Sequence, residues 1–276
     1  MYLRSPLLLL PLLLLACSKG NPEIEDTGEL PRLECEGDGD GRIQASELEV
    51  LPGISVPYVA NALGTRVSVD VEGALEGATR VWDFREGPTD LKADLRVLDA
   101  VGTWYEDAFD RPEFASATFL QAPDLLGVYR ADDDEVLLLG YASREEDPTD
   151  GRTLLVYDEP VPVLRFPMAK GSTWSAEAAF SGALLQGVQN QGQERWDLEI
   201  DEIGSLRLKG FTLENTLRMR ITMTQTLAVS AGAPTHVYRQ VLFLRECFGD
   251  LVRVVAPVDA DPGFAEAVEL HRLDVE

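Results

Sequence analysis

The chain has 276 residues, 45% hydrophobic and 26% charged, which is enough apolar material for a body with a real core and too much for wholesale disorder. Lys and Arg number 24 against 48 Asp and Glu, and the formal net charge of −24 repels phosphate backbones and anionic headgroups. Nucleic acid is thereby set aside as a partner, whereas divalent cations and basic proteins suit the charge.

Residues 1–16 read as a secretory signal. Arg4 supplies the positive start, and the apolar run from Leu7 to Leu15, broken only by Pro11, is too short to span a membrane. The run ends in Leu14-Leu15-Ala16-Cys17, which resembles the bacterial lipobox. That resemblance implies diacylglycerol on Cys17, cleavage before it and an acylated new amino terminus, so the partner is a membrane gripped through acyl chains at about 0.8 kcal/mol per buried CH2. The alternative is an ordinary signal that happens to end in cysteine. Ser18 stands where the family's inner-membrane retention rule places Asp, which implies the outer membrane.

Residues 17–34 carry Gly20, Pro22, Gly28 and Pro31 among Glu23, Glu25, Asp26 and Glu29, a composition expected to act as a tether. A short segment, 35–52, follows with the first constellation of ligand-bearing residues. From Glu36 to Glu47, oxygen donors recur at Glu36, Asp38, Asp40, Gln44 and Glu47, with the Arg42 carbonyl between them. Gly41 sits where the loop must turn, and Ile43 points an apolar side chain away from the ligands. The spacing resembles the twelve-position EF-hand and dockerin calcium loop. The resemblance implies one structural Ca²⁺ held by those six residues, with a dissociation constant of about 10⁻⁴–10⁻³ M, the range of extracellular modules. Glu36 in place of the usual Asp, and prolines on both flanks that leave no long helices, make it an isolated half-hand. A solvated acidic turn without an ion is the competing reading.

With Cys17 assigned to lipid, Cys35 and Cys247 remain, and in an oxidising compartment they are expected to pair. The alternative is that Cys247, inside the apolar run Val241 to Phe248, is a buried free thiol. A disulfide there would set a covalent clasp beside the ionic one, joining the start of the body to its C-terminal hairpin.

The body is expected to be mainly β. Val67, Val69 and Val71 alternate with Ser68 and Asp70, and Leu91, Ala93, Leu95 and Val97 alternate with Lys92, Asp94 and Arg96. Further strand runs are 80–84, 127–130, 136–143, 153–157, 196–203, 205–208, 217–229, 237–247 and 251–256, separated by turn clusters at 131–134, 147–151 and 230–234. Helix is expected only after the aspartate loop and over 112–118. The pattern predicts an antiparallel sandwich or curled half-barrel. Gly-Thr or Gly-Ser, Gly-Ala-Leu, Trp-Asp and Val-Tyr-Arg recur in one order, at 64, 73, 82 and 128 and again at 171, 182, 196 and 237, which suggests two similar β lobes, 53–160 and 161–276. Chance recurrence of short β patterns is the alternative. The second half, with Val163-Leu164-Arg165-Phe166-Pro167, Gly171, Trp174 and the closing Cys247-Phe248-Gly249, is similar to uncharacterised secreted bacterial β proteins, a resemblance that brings no catalytic residue.

No catalytic constellation stands out. His236 and His271 are far apart in sequence without a second ligand at metal spacing, and there is no Gly-x-Ser-x-Gly elbow or phosphate-binding glycine loop. Asp132 to Glu135 reads as a solvated turn. Trp104, Tyr105, Trp174 and Trp196 suit either a binding surface or the core. The expected function is a non-enzymatic, membrane-anchored envelope lipoprotein that acts as a binding or structural module. The alternatives are a carboxylate-dependent hydrolase of envelope glycans and a carrier of a hydrophobic ligand; a deep apolar cavity would favour the carrier.

Overall fold

In the computed structural model, the described residues are 35–48, 50–228 and 234–274. Cys17, the signal, the tether and most of the 230–234 turn lie outside them. Strands follow one another almost without helix: β1 (Arg42–Ile43), β2 (Ser55–Ala60), β3 (Val67–Ser68), β4 (Ala74–Glu76), β5 (Thr79–Asp83), β6 (Leu91–Asp99), β7 (Phe114–Phe119), β8 (Ala122–Ala131), β9 (Glu135–Ser143) and β10 (Leu154–Arg165). The series continues with β11 (Met168–Ala169), β12 (Thr173–Leu185), β13 (Val188–Leu208), β14 (Phe211–Leu227), β15 (Thr235–Arg245), β16 (Gly249–Val255), β17 (Glu266–Ala267) and β18 (Glu269–Leu273). The segment 112–118, expected to be helical, is instead mostly β7. Its Phe-Ala-Ser-Ala-Thr-Phe sequence alternates between two buried surfaces, and that tertiary demand overrides the helix propensity of its alanines.

The main sheet curls further than a half-barrel. Its ladder runs β12-β10-β9-β8-β7-β6-β2-β18-β16-β15-β14-β13, and β13 pairs again with β12, so twelve antiparallel strands close into a ring. The two expected lobes therefore share one sheet, with β2 of the first segment bonded to β18 of the second. Their matching landmarks are not in matching places either: Trp82 packs on an outer cluster while Trp196 lies in the interior. The least regular seam joins β10 to β12, where the regular register is a single pair, Leu154 opposite Leu184. Pro160 and Pro162 remove two donors from β10 there. Side chains take over: Asp158 accepts from the Ala179 N–H at 2.6 Å, Thr153 accepts from the Gln186 N–H at 3.1 Å, and Trp174 Nε1 donates to the Pro162 carbonyl at 2.7 Å.

Alternation sends one set of side chains inward and the other to outer clusters. On β15, Leu242 and Leu244 join the interior core, while Val241 and Phe243 face outward against Trp82 and Phe84. The flap carrying Trp82 is strand β5, the one parallel neighbour of β13, and residues 71–72 ahead of it are pinned by charge. Arg218 of β14 donates twice to Asp201, at 2.8 Å each, and once to the Val71 carbonyl at 2.6 Å; Arg220 links Asp201 to Glu72. Burial pushes the Asp201 carboxyl up, but the two guanidinium groups hold it below the usual carboxylate range. A second outer cluster covers β7 to β9, where Tyr105 and Phe109 lie on Ala115, Val128 and Leu139.

Candidate functional site

The interior is not filled from end to end. Leu198, Ile200, Leu217 and their neighbours pack one part densely, and the remainder is a cavity of about 310 Å³. Its walls come from alternate positions of many strands, among them Leu95, Phe114, Tyr129, Leu138, Met219 and Leu242. It reaches the surface where Phe248, 53% exposed, joins the lining.

One end of the cavity is polar. Asp250 and Arg253 of β16 form an ion pair at 2.8 Å, and Arg253 also donates to the Thr118 carbonyl at 3.1 Å. Burial raises the Asp250 carboxyl, yet Arg253 and the nearby His271 outweigh it and hold it below its ordinary value. Two buried oxygens of lining residues, Asp250 Oδ1 and Thr118 Oγ1, have no hydrogen-bond partner among the described residues. Behind the pair, Tyr58 donates to the Asp250 carbonyl, and a buried polar network begins. His271, fully buried, meets Glu269 at 2.9 Å through Nδ1, while its Nε2 lies 3.8 Å from Asp250, an ion-pair rather than a hydrogen-bond distance. Glu269 also accepts the Leu120 and Gln121 N–H groups at 3.0 and 3.1 Å. A separate buried carboxylate, Glu194, accepts from Tyr157, Trp196 and Gln225, and burial pushes its pKa up.

The segment 35–48 lies across the same end, and Cys35, Glu47 and Leu48 belong to the lining. Cys35 is disulfide-bonded to Cys247, with 5.5 Å between their Cα atoms, and the Cys247 N–H donates to the Glu47 carbonyl at 2.8 Å. Ile43 is buried and its strand β1 pairs with β11. Gly41 adopts φ 79°, the left-handed conformation that favours glycine, and a Cβ there would meet the end of the Ile203 side chain at 2.7 Å.

The donor residues of this loop divide into two groups. Asp38 and Asp40 stay at the surface, each accepting a backbone N–H from two residues on, at 2.9 and 2.7 Å. Glu47 is buried and turned to backbone, accepting the Gln44 N–H at 2.8 Å in the manner of a capping box. Glu36, Arg42 and Gln44 are exposed. The carboxylate that joins Asp38 and Asp40 is Glu246, from the turn between β15 and β16, and the three offer oxygens within 4.8 Å of one another.

Trp174 and Trp196 are core side chains, Tyr105 is buried and Trp104 packs beside it, so none forms an exposed aromatic surface. His236 sits on the outside, 3.1 Å from Asp259. Sequence reasoning passed over Asp250, Arg253 and Thr118. Their signal was polar residues set in apolar strands, Gly-Asp-Leu-Val-Arg-Val-Val in β16 being the clearest. The cavity and its cover define a closed antiparallel β-barrel with a partly polar interior site. Comparison with protein-family models, curated proteins and solved structures finds no match to this chain.

Proposed function

We propose that this protein is a non-catalytic carrier or receptor for a small amphipathic molecule, held at an envelope membrane by lipid on Cys17. The observation that carries the reading is the cavity itself. Its volume of about 310 Å³ suits a small-molecule site, its walls are mostly apolar, and Thr118, Asp250 and Arg253 give it a polar end. Because the Asp250 carboxylate only accepts and the Thr118 hydroxyl can accept as well as donate, the ligand's polar end should carry a hydroxyl or amine donor and the rest of it should be hydrocarbon or aromatic. The hydrolase reading is less well supported. Among the described residues, the carboxylates in the lining are Asp250, paired with Arg253 and held ionised, and Glu47, whose oxygens are taken by backbone N–H groups.

Titration of the purified protein with 1-aminoanthracene, an apolar fluorophore with one amine, tests the reading. Saturable fluorescence enhancement is expected, and Ser116→Phe, which fills the cavity from β7, should weaken binding at least tenfold, about 1.4 kcal/mol. Equal binding by wild type and Ser116→Phe, both folded by circular dichroism, would place the dye elsewhere and remove the carrier reading. The anchor is tested separately by cell fractionation. Cys17→Ser should move the protein from the membrane to the soluble fraction, and unchanged membrane association would refute lipid attachment.

A further inference from the structure

We propose that Asp38, Asp40 and Glu246 form a site for one hard divalent cation of calcium size, which ties the segment over the cavity to the turn between β15 and β16. Glu246 is the buried member of the three. It is 7% exposed, far below what is usual for a free carboxylate, and nothing in its own turn neutralises it. One oxygen, Oε2, accepts the Gly39 N–H at 2.8 Å. The other, Oε1, is buried without a hydrogen-bond partner among the described residues. A buried, half-satisfied carboxylate is costly unless a charge completes it. Among the described residues, no Arg, Lys or His forms an ion pair with Glu246, Asp38 or Asp40.

Around the Glu246 carboxylate the geometry converges. Asp38 and Asp40 each use Oδ1 for a backbone N–H, which leaves Oδ2 of each for another partner. Oxygens of all three side chains lie within 4.8 Å of one another, the span across a cation whose oxygen ligands stand at about 2.4 Å. Asn215 fixes the intervening Gly39 by donating to its carbonyl at 2.8 Å, so the backbone that presents the two aspartates is held from a third element. Three carboxylates and no nitrogen or sulfur donor select a hard ion. Ligands drawn from two separate chain segments tolerate the larger, less regular shell of calcium better than the strict octahedron of magnesium. Glu36 and Glu47 are outside this set. The long-range residue Glu246 takes the place that a local reading of the loop gives to Glu47.

The test uses the full-length protein, freed of metal with chelator and titrated with calcium chloride alone by calorimetry. One calcium per chain is expected. Glu246→Gln keeps the acceptor for the Gly39 N–H but removes the charge, and it should weaken binding at least tenfold, as should the Asp38→Asn, Asp40→Asn double variant. Glu36→Gln should change affinity less than threefold, and magnesium should bind at least tenfold more weakly than calcium. Unfolding midpoints in chelator confirm that each variant is folded before it is compared. Calcium binding of equal affinity in wild type and Glu246→Gln would overturn the proposal, as would the absence of binding at millimolar calcium. Neither outcome bears on dye binding in the cavity, so this site and the carrier reading fail separately.

Discussion

Replacing Glu269 with alanine is expected to lower the unfolding free energy by about 3–5 kcal/mol, the cost of removing one partner from a buried charged network. Glu269 is 3% exposed and accepts from three donors: His271 and the backbone N–H groups of Leu120 and Gln121. Without it, two amides and an imidazole are stranded where β2, β16 and β18 meet the β7–β8 turn. Equilibrium urea unfolding measures the loss, and a change below about 1 kcal/mol would show that the network is not holding this seam. The same groups set a pH window. Burial lowers the His271 pKa, but the carboxylates of Asp250 and Glu269 more than reverse this and leave it above the ordinary 6.5. Its contribution is therefore complete below pH 6.5 and is lost as pH rises through the raised value. Burial raises the Glu269 carboxyl, and the His271 hydrogen bond and charge hold it below the ordinary 4.5, so its contribution is lost as pH falls through that depressed value. Wild-type stability should decline on the alkaline side, and His271→Gln should be less stable but flat between about pH 6 and 8. An unchanged alkaline decline in that variant would assign the titration to another group.

The second large effect is expected from the clasp. The Cys35→Ser, Cys247→Ser double variant should lose about 5 kcal/mol, since a bridge across a sequence separation of 212 closes nearly the whole described chain into one loop. Denaturant midpoints with and without reductant measure it. Reductant should bring the wild type down to the variant and leave the variant unmoved; coincident midpoints for oxidised wild type and variant would show that the bridge adds nothing to stability. Because Cys35 and Cys247 both line the cavity, the variant should also exchange 1-aminoanthracene faster.

Much of the fold was legible in local pattern, and what was missed has identifiable causes. The alternation of Leu91, Ala93, Leu95 and Val97 marks β6 because one face is core and the other solvent. Strand β12 escaped because Thr-Trp-Ser-Ala-Glu-Ala-Ala is rich in alanine, a residue that signals strand weakly; its place is set by its long pairing with β13. Strand β2 escaped because Pro57 interrupts it. Runs 196–203 and 205–208 are one strand, β13, bent by bulges. The aspartate loop was visible because its residues are consecutive. Glu246 was not, since its relation to Asp38 exists only after β15 and β16 have folded, and no short window of sequence contains both. The cavity was invisible for the same reason: each strand contributes one or two lining residues, and the space between them belongs to the ring.

The pairing of β2 with β18 also has a kinetic meaning. Strand β2 finds β6 soon after it in sequence, but its other edge waits for residues near His271, which lies opposite Ala60. Until then it is an unpaired edge, able to template intermolecular sheet in a chain emerging amino terminus first. Pro57 sits on that edge. Its carbonyl accepts from the Asp274 N–H, and in an extended strand the nitrogen of the same residue points the same way, so the missing donor faces the side that waits. The proline that obscured β2 in the sequence thus leaves the waiting edge one donor short of a full template for intermolecular sheet.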